Sequence, residues 1–156
     1  MPRLLRAGLT TAVVDGLFSS ILAAFFYDST VTRLWQGVAS TLLGPDAFNG
    51  GLRTALIGVA MHLCVAFTWS AVFLFLVMRS RSVLQTLDTP LGVLKVASVY
   101  GPSIWLVMSL VVIPLLRHSP PTFNIRWWVQ LLGHFPFVGL PIVGSLAPRR
   151  SGDPAV

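Results

Sequence analysis

Apolar positions gather into four long runs, Leu4 to Phe26, Arg53 to Met78, Leu91 to Leu116 and Trp127 to Ala147, with short polar segments between them. A bilayer core of about 30 Å needs roughly 20 apolar helical residues, so each run predicts one transmembrane helix. The first run is two-sided. Ala7 and Gly8, Thr11 and Ala12, Asp15 and Gly16, Ser19 and Ser20, and Ala23 and Ala24 fall on one broad side of a helix, while Leu9, Val13, Leu17, Ile21 and Phe25 occupy the other. Small residues four apart let helix backbones approach closely in a bilayer, where apolar burial alone gives no reason to associate. The second run repeats the theme more thinly, with Thr54, Gly58, His62, Ala66 and Ser70. Gly8, Ala12, Gly16, Ser20, Gly58 and Ala66 are therefore the expected helix-packing positions. They predict that the first helix packs on the second and brings Asp15 near His62.

The segments between the runs carry their own signals. Asp28, Ser29 and Thr30 can cap a helix start, Gly44 and Pro45 stop one, and Val31, Leu34, Trp35, Val38 and Leu42 between them keep helical spacing. This predicts an amphipathic helix at about 30–43. It is too short to span, and is expected to lie flat at the outer interface with Trp35 at headgroup level. The short connection from Arg79 to Pro90 predicts that the second and third helices are antiparallel neighbours. Gly101 with Pro102 predicts a kink in the third, Pro114 a bend or end near its outer surface, and Pro136 with Pro141 a fourth helix that is not straight. Trp127 and Trp128 mark the outer interface, and residues 148–156 read as a disordered cytoplasmic tail.

Composition excludes a soluble domain. Residues are 54% hydrophobic and 10% charged, and four spans leave nothing for a second domain, so residues 1–147 form one membrane domain. The net charge of +6 is spread along the chain without a basic cluster interleaved with exposed aromatics, which argues against nucleic acid. Its distribution speaks to topology instead. With both termini inside, Arg3, Arg6, Arg79, Arg81, Lys95, Arg149 and Arg150 face the cytoplasm, against Arg33, Arg53, Arg117 and Arg126 outside. The first run resembles a signal peptide in its leading arginines. Its length and Asp15 mark it instead as a retained anchor. Cys64 stands alone, excludes an intrachain disulfide and is expected to be a small packing residue.

Candidate chemistry lies inside the membrane. At about 1.5 Å per residue, Asp15 lies roughly 16 Å, Tyr100 roughly 13 Å and Ser103 roughly 18 Å from the inner end of its helix. From the outer ends, His62 lies roughly 13 Å and His134 roughly 10 Å deep. All four helices thus contribute to one polar midplane layer. Its plainest use is a hydrogen-bonded core that fixes helix register. A carboxylate with imidazoles at the midplane also has the chemistry of a proton or ion relay. His62 and His134, as the only candidate metal ligands, could hold haem or another tetrapyrrole between two helices, though no haem-attachment motif is present. No GxSxG, HExxH, CxxC or phosphate-binding glycine loop occurs, and the chain has no glutamate, so no enzyme is expected.

Gly50, Gly51, Thr54, Ala55, Leu56, Gly58, His62 and Ala66, then Pro114 and Leu115, and His134 followed by Gly139, Leu140, Pro141 and Ile142, resemble a group of small four-span bacterial inner-membrane proteins of uncharacterised activity. The resemblance implies a multi-pass inner-membrane protein in which His62 and His134 belong to the pattern, and it transfers no catalytic role. The fold expected is an all-α integral membrane protein, a four-transmembrane-helix bundle with a short interfacial helix between spans one and two. The function favoured by sequence is a structural or accessory subunit that docks its small-residue faces on a membrane-protein partner or a second copy. The alternative is a small proton- or cation-linked transporter or channel using Asp15, His62 and His134.

Overall fold

The computed structural model describes residues 2–148, so all of the tail beyond Pro148 lies outside the described residues. Regular structure within them is entirely helical. Helix α1 spans Arg3–Phe26, α2 Val31–Leu43, α3 Gly51–Arg79, α4 Arg81–Thr86, α5 Pro90–Arg117 and α6 Ile125–Leu146. Four of them, α1, α3, α5 and α6, are long and apolar enough to cross a membrane. The short helix α4 and a single turn of 3-10 helix at Pro45–Asn49 are additions to the sequence expectation.

Side chains set the boundaries. Thr30 accepts a hydrogen bond from the Arg33 amide to start α2, Thr89 does the same for Gly92 ahead of Pro90 in α5, and Asn124 caps α6 through Trp127. The left-handed backbone of Gly44, with φ 72°, turns the chain out of α2. Prolines inside the spans are absorbed by widening the helix. Met108–Val112 in α5 and Phe135–Gly139 in α6 are π-helical, and the residue just before each following proline, Ile113 or Leu140, donates five residues back, to Met108 or Phe135. A proline offers no N–H, and local π geometry re-satisfies freed carbonyls within a membrane helix. Helix α5 runs on through Pro102, and its irregular turn comes later, ahead of Pro114.

The bulky side of α1 faces outward. Val13, Leu17, Ile21 and Phe25 are 57%, 59%, 50% and 78% exposed, while Ala7, Gly8, Thr11, Ala12, Asp15 and Gly16 are buried. Apolar surface outside and small or polar groups inside invert the pattern of a water-soluble helix, as an apolar surrounding requires.

Helix α1 packs between α3 and α6, and α6 packs on to α5. The α1–α6 pair is clamped along its length. Arg6 donates to the Ser145 carbonyl at 2.9 Å, Phe18 stacks on Phe137 with centroids 4.1 Å apart, Gln130 reaches the Ser19 hydroxyl at 3.4 Å, and Arg126 donates to the Tyr27 carbonyl at 3.2 Å. The α5–α6 crossing is closer still. A Cβ added to Gly101 would fall on the His134 carbonyl, and one on Gly139 would meet the Ala97 carbonyl.

Helices α3 and α5 meet less closely than their short connection suggests. They join where Tyr100 donates to the Trp69 carbonyl at 2.6 Å and its ring lies 4.7 Å from that of Phe73. Replacing Tyr100 with Phe should cost about 0.6 kcal/mol, the usual worth of a hydrogen bond between membrane helices, read as a small drop in unfolding free energy in mild detergent. An unchanged value would show the α3–α5 seam to be held by ring packing alone.

Candidate functional site

The polar groups of α1 and α3 meet because their small residues allow it. Gly8 of α1 sits under the Phe67 ring of α3, and two turns further on Gly16 faces the Trp35 ring and the His62 imidazole. Asp15, 9% exposed, is held beside this contact, with its Oδ2 3.9 Å from His62 Nε2. The same Nε2 lies 3.1 Å from the Ala12 carbonyl oxygen. Asp15 Oδ1 has no hydrogen-bond partner among the described residues. From α6, His134 is buried against Trp105, ring centroids 4.9 Å apart, and both imidazoles lie within electrostatic range of the Asp15 carboxylate. The structure thus pairs Asp15 with His62, with His134 of α6 within electrostatic range.

Hydrogen bonding assigns the ring protons. His62 Nε2 faces two oxygens, and a lone pair there would be repelled by both, so Nε2 carries hydrogen. His134 Nδ1 lies 2.7 Å from the Gln130 carbonyl and carries hydrogen for the same reason, which leaves its Nε2 as the basic nitrogen. In their neutral forms the two imidazoles should therefore be opposite tautomers. Nitrogen-15 spectra of labelled protein should show a protonated Nε2 on His62 and a protonated Nδ1 on His134, separated by recording each single His→Gln variant. Identical tautomers would contradict the arrangement.

Further buried polar atoms lack partners among the described residues: Thr11 Oγ1 one turn before Asp15, Trp105 Nε1, Ser109 Oγ, Trp127 Nε1 and Tyr27 OH. An orphaned buried donor or acceptor costs about 1–3 kcal/mol, so a group of them in one region calls for an explanation. From His134 they run towards the Phe26 end. Trp105 lies beside His134, the Trp127 ring is 6.3 Å from that of Trp105, and Tyr27 is capped by the Arg126 guanidinium 4.5 Å over its ring. Ser109 sits in one π-helical turn and His134 directly precedes the other. Such turns are frequent at functional sites.

Other predicted positions fall elsewhere. Tyr100 points to Trp69, and Ser103 is exposed and donates to the Val99 carbonyl, so neither joins Asp15. Depth counted along a helix gives height but not direction. On α5 it is Gly101 and Ile104 that turn inward. Gly58 accepts the backbone of α2 at Trp35, not α1, while Ala12 and Ala66 are buried and Ser20 is half-buried. The Trp35 ring packs 5.2 Å from His62 and roofs the Asp15 site. The faces of α2 also differ from expectation. Gln36 and Ser40 are buried, with Gln36 donating to the Gly51 carbonyl at 3.0 Å, while Leu42 is 60% exposed. Cys64 is exposed and not a packing residue.

Metal and haem chemistry gain nothing from this geometry. Among the described residues no three His, Cys, Asp or Glu side chains gather for a metal ion. The His62 Nε2 that would ligate iron is occupied by Ala12 and Asp15. Compared with protein-family models, curated proteins and solved structures, the chain finds no match.

Proposed function

We propose that this chain is a small four-span membrane protein that handles protons, as a proton-linked transporter or channel in which Asp15 is the proton-binding group. The observation that carries this reading is the buried Asp15 carboxylate, with one oxygen unpartnered and the other 3.9 Å from an imidazole N–H. A carboxylate inside a span is expensive unless it works, and such groups mark ion paths and proton relays.

The residues divide the task. His62 has two acceptors for one N–H: it now favours Ala12, and a movement of about 1 Å would give Asp15 a direct hydrogen bond. Gain and loss of a proton at Asp15 therefore has a local readout in the His62 ring, and the Trp35 indole above it senses the same change. His134, with its basic Nε2, receives protons through water entering from the Phe26 end, where the Tyr27 and Ser109 hydroxyls can both donate and accept and the Trp127 and Trp105 N–H groups only donate to the water oxygens. The topology that suits this reading has both termini in the cytoplasm of a bacterium, which rests on the arginine asymmetry and the resemblance. It puts α2 at the outer interface, its apolar Leu42 and Val31 towards lipid and its Gln36 and Ser40 inward.

The accessory-subunit reading draws less support from the glycines of the stripe. Gly8, Gly16 and Gly58 are filled by Phe67, Trp35 and the α2 backbone of the same chain, so the small-residue stripe is spent on internal packing. The test is flux. Purified protein in liposomes, given a potassium-driven membrane potential and an internal pH dye, should move protons faster than protein-free vesicles. Equal rates with and without protein overturn the proposal.

A further inference from the structure

Beside their meeting at Tyr100, which with Ser103 lines it, α3 and α5 leave an open groove of about 370 Å³ reaching towards the Arg3 end. Its walls are Phe73 and Leu76 of α3 and Val96 and Val99 of α5, and Val83 of α4 closes one end. The surface is almost wholly apolar. The one charged group in it is Lys95, a single turn inside the start of α5. Arg79 ends α3 and Arg81 begins α4 at this same end, against the lone carboxylate of Asp88 in the turn before α5. Among the described residues none of these three cations has an ion-pair partner, and all are exposed.

An apolar slot opening sideways between two spans, with an unpaired cation at its mouth, matches one kind of molecule. We propose that the groove seats an acyl chain of an anionic phospholipid, whose phosphate is held by Lys95 with Arg79 and Arg81 around it. A lysine stem lies along apolar surface while its ammonium reaches the headgroup level, so Lys95 serves both parts of the lipid. The site is separate from Asp15 and does not rest on the proton reading.

Native mass spectrometry of the full chain in detergent tests it, with dioleoylphosphatidylglycerol and dioleoylphosphatidylcholine as probes. The anionic phosphatidylglycerol should be retained about fivefold better for each cation it engages. Lys95→Gln should lower that preference. Val99→Trp, at a position 67% exposed, should fill the groove and abolish retention of a tightly held lipid, while Leu132→Trp on the outer face of α6 should not. Equal retention of the two lipids overturns the proposal. So does retention unaltered by Val99→Trp, which would leave the headgroup on a basic surface without a seat for the chain.

Discussion

Asp15→Asn should reduce proton flux by about a hundredfold or more, the scale on which a positioned acid–base group contributes, while leaving the fold intact. The size of the effect follows from chemistry, because an amide of the same shape cannot exchange a proton. The intact fold follows from the surroundings. Asp15 Oδ2 comes no closer to His62 Nε2 than 3.9 Å, too long for a hydrogen bond, and its Oδ1 is unpartnered, so no structural bond is lost. Removing a buried carboxylate also removes a desolvation cost, and the variant should melt at or above the temperature of the parent. A variant that unfolds would place Asp15 among the structural groups. One that folds and still conducts would remove it from the proton path.

Gly101→Ala and Gly58→Ala should each destabilise the protein by about 3 kcal/mol or more, at the upper end for overpacking. Each added methyl would meet backbone and not a flexible side chain: the His134 carbonyl for Gly101 and the Trp35 carbonyl for Gly58. Backbone can yield only by separating whole helices. The two changes should also differ in function. Gly101→Ala pushes α5 from α6 next to His134, whereas Gly58→Ala lifts α2 and with it the Trp35 roof over Asp15. Gly37→Ala and Gly144→Ala are controls, since nothing lies within 4 Å of either added carbon. Both glycines are helical, so alanine should be neutral or slightly stabilising. Unfolding in mild detergent decides the matter. Equal behaviour of all four variants would contradict the close helix crossings.

The four spans were plain in the chain because length and hydropathy alone mark them, and their ends moved by one or two residues. The stripe on α1 was equally plain, since its small residues cannot serve a lipid-facing role as well as Val13, Leu17 and Ile21 do. Its partners were harder to see. Spacing shows that Gly58 admits a close neighbour, but not that α2 would take the place expected for α1. The inward turn of Gln36 was hidden for a related reason: a polar side chain on a short helix reads as water-facing until a carbonyl such as that of Gly51 is there to receive it. Trp35 joined the site by the same turn. Tyr100 turns to the Trp69 carbonyl of α3 and Ser103 to its own helix, directions fixed by how Gly101 seats α5 on α6. The π turns leave a trace in sequence only as Pro114 and Pro141, which signal irregularity without saying whether the helix bends or widens.

The proposed function requires Asp15 to exchange a proton within the protein, beside His62. Infrared difference spectra of the protein in lipid, recorded as pH is swept, isolate the C=O stretch of a protonated carboxylic acid. One titrating band should appear, vanish in Asp15→Asn and shift in frequency in His62→Gln. A spectrum with no titrating carboxylic acid, or a band that survives Asp15→Asn, would contradict it.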